Sequence, residues 1–169
     1  MKFAKLAIAL GLCAAGFSAS AQVQNATMNV TANVPGVCTL TAGAMSFGQY
    51  DSTLGTDFTA VVQFNCTTGA SSAITMNYSG NATGAQRRMV NGGSYLNYAV
   101  YQPVSATPGA ACAYTNAWGN VTTGGTALVT GTGAVGTSRN YNVCGRIAAG
   151  QTGAPVGNYA DTVAIVATL

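Results

Sequence analysis

Between Phe58 and Cys66 the chain alternates, with Phe58, Ala60, Val62, Phe64 and Cys66 all on one side. Successive side chains of a strand point to opposite faces, so a period of two predicts a strand that buries one face. The same rhythm returns over residues 73–78, where Ile74, Met76 and Tyr78 oppose Thr75 and Asn77. It returns again over residues 139–147, with Tyr141, Val143 and Ile147 on the apolar side. Residues 95–101 carry apolar side chains on both faces, the pattern expected of a strand buried in the middle of a sandwich. No stretch after the leader described below shows a convincing helical period. Gly-rich turn signals at Asn91-Gly92-Gly93, Gly124-Gly125 and Gly131-Thr-Gly133 separate the runs. Many short strands with such punctuation predict an all-β fold, an antiparallel sandwich. The Gly, Ala and Thr-rich region 104–136 is expected to hold longer loops around Trp118 and Gly119.

The N-terminus obeys different rules. Lys2 and Lys5 precede an apolar run from Leu6 to Phe17, which ends in Ser18, Ala19, Ser20 and Ala21. A cationic start, a short apolar stretch and an Ala-x-Ala site make a signal peptide over residues 1–21, and the run is too short to span a bilayer. Removing 21 of the 169 residues leaves a mature chain of 148, room for one domain. The leader looks bacterial, so the expected route is export through the periplasm.

Export changes the charge and cysteine arithmetic. Both lysines leave with the leader, so four arginines face three aspartates, a net charge of +1. A nucleic-acid surface must neutralise several phosphates, and this chain cannot supply one. A nearly uncharged chain rich in Thr, Asn and Gly suits self-association, since net charge near zero favours it, and composition alone fits an inert extracellular domain equally well. Cys13 is lost with the leader, leaving Cys38, Cys66, Cys112 and Cys144. In an oxidising compartment these read as two disulfides, with three connectivities open. Pairing in order of occurrence closes the shortest loops, each contributing roughly 3–4 kcal/mol in the chain-entropy model. With no histidine in the chain and no zinc-like spacing, no metal or other cofactor is expected.

The two ends of the mature chain answer each other. Ala26, Met28, Val30, Ala32 and Val34 form an apolar face opposite Thr27, Asn29, Thr31 and Asn33, and Pro35-Gly36 then separates this segment from Cys38. A nine-residue strand of about 30 Å, at roughly 3.3 Å per residue, needs a groove to fill. At the other end, residues 159–169 read as a long core strand with Val163, Ile165, Ala167 and Leu169 on its apolar side. Nothing charged follows Asp161, whereas an exposed apolar edge is normally blunted by charge or proline. The expectation is that the arm of one molecule adds a strand beside the open edge of its neighbour, a head-to-tail contact that builds an open fibre. The competing arrangement folds the arm back on its own body.

Specific motifs carry a family resemblance. Cys38-Thr-Leu, then Met45-Ser-Phe-Gly-Gln-Tyr50, then Phe64-Asn-Cys66-Thr resemble the start of the spore coat protein U domain, found in the pilins of archaic, Csu-type chaperone–usher fimbriae. Leu96-Asn-Tyr-Ala-Val-Tyr101, the pair Trp118-Gly119 and Gly157-Asn-Tyr-Ala-Asp-Thr-Val163 resemble later motifs of the same family, in the same order. The resemblance implies an incomplete immunoglobulin-like β-sandwich lacking its final strand, with residues 22–37 as a donor-strand extension and 38–169 as the pilin domain. It implies a disulfide between Cys38 and Cys66, while the pairing of Cys112 with Cys144 rests on parity. The partners it implies are a periplasmic chaperone, an outer-membrane usher and neighbouring subunits, in a surface fimbria that supports adhesion and biofilm formation. A single domain of this size points to a shaft or minor subunit.

Other readings have less to stand on. Without histidine, a Ser/His or Cys/His nucleophile pair is excluded, and no enzyme is expected. The only candidate carboxylate pair for sugar hydrolysis is Asp51 with Asp57. Arg87-Arg88 reads as a solvated loop pair. The alternatives to a pilus subunit are a lectin-like surface adhesin, with Tyr95, Tyr98, Tyr101, Tyr114 and Trp118 as sugar platforms, and a structural protein of a spore or outer coat.

Overall fold

The computed structural model describes residues 22–67, 71–120, 124–131 and 137–169. The expected leader at 1–21, and the turn signal at Gly133, lie outside the described residues. The chain divides into two units, Met1–Asn33 and Val34–Leu169. In the first, residues 22–33 carry no strand.

Among the described residues of the second unit every regular element is a strand: β1 Cys38–Ala42, β2 Thr56–Cys66, β3 Ala73–Met76, β4 Arg87–Asn91, β5 Ser94–Pro103, β6 Cys112–Ala117, β7 Leu128–Val129, β8 Arg139–Ile147 and β9 Ile165–Thr168. The larger sheet runs β1-β2-β8-β5-β4, with β6 also paired to β5; the smaller runs β7-β3-β9. All pairings between strands are antiparallel.

The alternation read from the sequence sets the core. On β2, Ala60, Val62, Phe64 and Cys66 are buried; on β8, Tyr141, Val143 and Ile147; on β3, Ile74 and Met76. These face one another across the two sheets and form one cluster with Leu96, Tyr98 and Val100 of β5. The structure pairs Cys38 with Cys66, cross-strand partners on β1 and β2 with Cα atoms 4.0 Å apart, and Cys112 on β6 with Cys144 on β8.

Several expectations are corrected. Strand β5 buries only one face: Tyr95 is 44% exposed, because β5 lies inside its sheet but only its inner side meets the second sheet. The region 104–136 is not only loop, since it supplies β6 and β7, and Trp118 beyond β6 is buried with Nε1 donating to the Ile74 carbonyl at 2.9 Å. Arg87-Arg88 is not a solvated loop pair. The two residues open β4, and the Arg87 guanidinium is buried, donating to the carbonyls of Asn77 at 2.6 Å, Met76 at 2.8 Å and Trp118 at 3.1 Å. Residues 159–169 are not one continuous strand. Ala160 bridges Val90 of β4 in the larger sheet, and only residues 165–168 pair with β3 in the smaller one.

Candidate strand-acceptor cleft

The change of sheet near the C-terminus leaves the interior open. A cleft of about 330 Å³ lies between the sheets. Ala60, Val62, Tyr98, Val100 and Val143 of the larger sheet line one side, and Met76, Val163 and Ile165 the other. Its rims are residues 42–47, which continue from β1, and residues 159–161. Strands β1 and β9, each at the edge of its own sheet, come within 8 Å of one another. Beyond β9 no strand follows in the sheet among the described residues. The backbone donors and acceptors on that side of β9 therefore have no ladder to join.

The apolar side chains at this edge are only half-covered. Val163, Ile165 and Ala167 pack on the core yet are only half-buried, and Val166 is 43% exposed on the other face. The structure brings Val163, Ile165 and Ala167 together as one apolar side. Leu169 lies beyond the strand, 59% exposed and off the core cluster.

The crossing between sheets is pinned by a polar group. Asp161 accepts from the Tyr98 hydroxyl at 2.7 Å through Oδ2 and from Asn81 Nδ2 at 2.9 Å through Oδ1. Burial, and then the Asp161 carboxylate, push the Tyr98 phenol well above its ordinary range, so it stays a donor. Below the crossing, Asn77 N donates to the Ala164 carbonyl at 2.9 Å, starting the run that becomes the β3–β9 ladder.

The opposite rim depends on a missing side chain. A Cβ on Gly145 of β8 would collide with Met45 Sδ and come within 2.7 Å of Phe47 Cζ. Glycine there lets residues 45–47 lie flat on the sheet. Phe47 then meets Phe58 and Tyr98 edge-to-face, with ring centroids 6.3 and 6.2 Å away. The roles of Met45, Phe47, Met89 and Tyr98 as cleft wall were not assigned from the sequence. The alternation at Met45 and Phe47 was the available signal.

The other candidate residues are placed elsewhere. Trp118 and Tyr98 are core residues, which removes two of the five aromatic rings proposed as sugar platforms. Asp51 accepts from the Thr53 hydroxyl and backbone N, both at 2.7 Å, which lowers its pKa. Asp57 is held bidentate by Arg146 at 2.6 Å, which lowers its pKa too. Sugar hydrolysis needs one carboxyl raised so that it can act as an acid, and this pair is shifted the wrong way.

The model of the Spore Coat Protein U domain matches residues 24–166. The chain is 32% identical to "Protein U" of Myxococcus xanthus over its whole length and 97% of that protein. Its fold is similar to a chain in the crystal structure of the CsuC–CsuE chaperone–tip adhesion subunit pre-assembly complex from archaic chaperone–usher Csu pili of Acinetobacter baumannii. The TM-score is 0.58 at 19% identity, covering 80% of this chain and 40% of that one.

Proposed function

From its membership of the Spore Coat Protein U domain family, we propose that this chain is a structural subunit of a chaperone–usher fimbria. The observation that carries this is the apolar cleft beside the unpaired edge of β9. It has the form of a sandwich interior that lacks a strand. Filling it from outside would complete the core and satisfy the backbone groups of the edge at once.

The proposed filler is the arm at residues 22–37 of the next subunit, with Ala26, Met28, Val30, Ala32 and Val34 facing inward. Nine arm residues, 26–34, equal in number the nine from Ala160 to Thr168, of which Ala160, Asp161, Val163 and Ile165 line the cleft. The body at 38–169 would be the acceptor, with Val163, Ile165 and Ala167 at the edge that either a chaperone or an arm covers. Leu169, exposed and off the core, is left to the outer end of that contact. Removal of the leader at 1–21 would free the arm in the periplasm, an outer-membrane usher would exchange chaperone for arm, and the product would be a surface fibre serving adhesion and biofilm formation.

The test is deletion of residues 22–34. The truncated chain is expected to fold only with its chaperone, or with a synthetic peptide of residues 22–34, and to form no fibres by electron microscopy. Fibres from the truncated chain alone would overturn the proposal. A second reading, a subunit of a spore or outer coat, is favoured by the description of the family itself, the Spore Coat Protein U domain. A coat protein that packs through its outer faces would keep assembling without residues 22–34. The lectin reading loses its best platform, since Trp118 is in the core.

A further inference from the structure

The chain has five methionines, of which Met1 belongs to the leader. Met28 is on the apolar face of the arm, and the remaining three, Met45, Met76 and Met89, all line the cleft. Met45 and Met89 also line a second, adjoining cleft of about 590 Å³ bounded by residues 45–50 and 154–159. Their thioethers therefore stand where two open spaces meet, and both residues are half-buried, whereas Met76 is only 1% exposed. The Met45 sulfur rests against the α-carbon of Gly145 and so has a fixed place in the wall. All four cysteines of residues 22–169 are tied up in disulfides. The methionine thioethers are thus the peroxide-reactive sulfur of the exported chain.

We propose that Met45 and Met89 are a reversible oxidation site that closes the cleft to an incoming strand. This rests on the acceptor reading above. The oxidant is a peroxide: its O–O bond breaks, one oxygen bonds to the sulfur, the other leaves as water or an alcohol, and sulfur supplies the two electrons. The product, methionine sulfoxide, is the first and still reducible step for this side chain. In the empty cleft the new oxygen is wet. Under an inserted strand it is left among Val62, Val100, Val143 and an arm whose inner face is all apolar, while the lining hydroxyls of Tyr98 and Tyr159 already donate to Asp161 and to the Pro155 carbonyl. Burying a strong acceptor without a partner is unfavourable, so the oxidised cleft accepts an arm less well. By the same linkage a filled cleft leaves both sulfurs approachable only from the second cleft, and an assembled fibre is oxidised more slowly than a free subunit.

The experiment uses the full exported chain and hydrogen peroxide, with each variant compared with its own untreated sample. Peroxide is expected to slow fibre formation at least tenfold, and the slowing should persist in Met28→Leu. It should vanish in the double variant Met45→Leu/Met89→Leu. Loss of the effect in Met28→Leu, or its persistence in the double variant, places the sensitive sulfur elsewhere and overturns the proposal. Should the double variant fail to fold, peptide-resolved mass spectrometry of the unaltered chain decides. Sulfoxide at Met45 and Met89 should form at least tenfold more slowly in fibres than in dilute subunits, and equal rates overturn the idea. Failure of the acceptor reading is distinguishable, because it shows as fibres from the chain lacking residues 22–34.

Discussion

Arg87 holds the two sheets together with a single planar group. Its guanidinium leaves β4 and donates to three carbonyls, two at the end of β3 and one after β6, with Tyr78 stacked 4.7 Å from its centre. Burial draws its pKa below the usual arginine value, yet the surrounding oxygens suit a cation. The other three arginines of the body also lie over rings: Arg88 on Tyr95, Arg139 on Phe64 and Arg146 on Tyr114. Replacing Arg87 with Ala leaves three buried carbonyls without donors, and the expected cost is about 3 kcal/mol or more. Arg87→Lys should recover part of it, since an ammonium is one point of charge rather than a fork. Urea unfolding of the two variants measures both, and equal stability of Arg87→Ala and the unaltered chain would refute the tie. This role was not legible in the sequence. Two adjacent arginines look solvated until the fold gathers a ring and three carbonyls from segments far apart along the chain.

Strands β2 and β8 were readable because each alternates over nine or more residues, long enough for period two to stand out. Strand β7 was not, since two residues carry no period. The C-terminal segment failed for a different reason. Its alternation is regular from Tyr159 onward, but periodicity reports which face a residue takes, not which sheet it joins. The move from β4 to β3 is set by Asp161 and its two donors, a contact between distant segments. The apolar sides of Val163 and Ile165, and of Ala60, Val62 and Val143 across from them, were therefore legible; the wall that Met45 and Phe47 form against β8 was not. That wall leads to a prediction about β8. Gly145→Ala would drive a methyl into Met45 and Phe47, and overpacking of this kind costs about 1–3 kcal/mol. The backbone of residues 45–47 should lift from the sheet, seen as faster amide hydrogen exchange there. Unchanged exchange and stability would show that the contact can relax.

With three carboxylates and no histidine, the whole molecule has almost nothing to titrate near neutrality. Among residues 22–169, whose four cysteines are all in disulfides, no side chain ordinarily changes charge between about pH 5 and 9. Asp51 and Asp57 are depressed in the fold, so their contribution is present above the unfolded value of about 3.9 and lost as pH falls through their lower folded values. The Asp57–Arg146 pair is 42% exposed on both sides, which keeps its share below about 1 kcal/mol. Tyr98 is raised, so its contribution is present below the unfolded value of about 10 and lost as pH climbs beyond it. Urea midpoints should be flat from about pH 5 to 9 and fall at both extremes, with a shallower alkaline fall in Tyr98→Phe. A slope across the neutral range would contradict this account. One more consequence follows from the clip between Cys38 and Cys66. Cys38 is the first residue of β1, directly behind the proposed arm, and it is bonded to its cross-strand partner at the end of β2. Tension on the arm thus enters through a covalent joint into a strand flanked on both sides, and β1 cannot be peeled away first. The 28-residue separation between the cysteines, worth about 90 Å of slack at full extension, stays locked out of the load path.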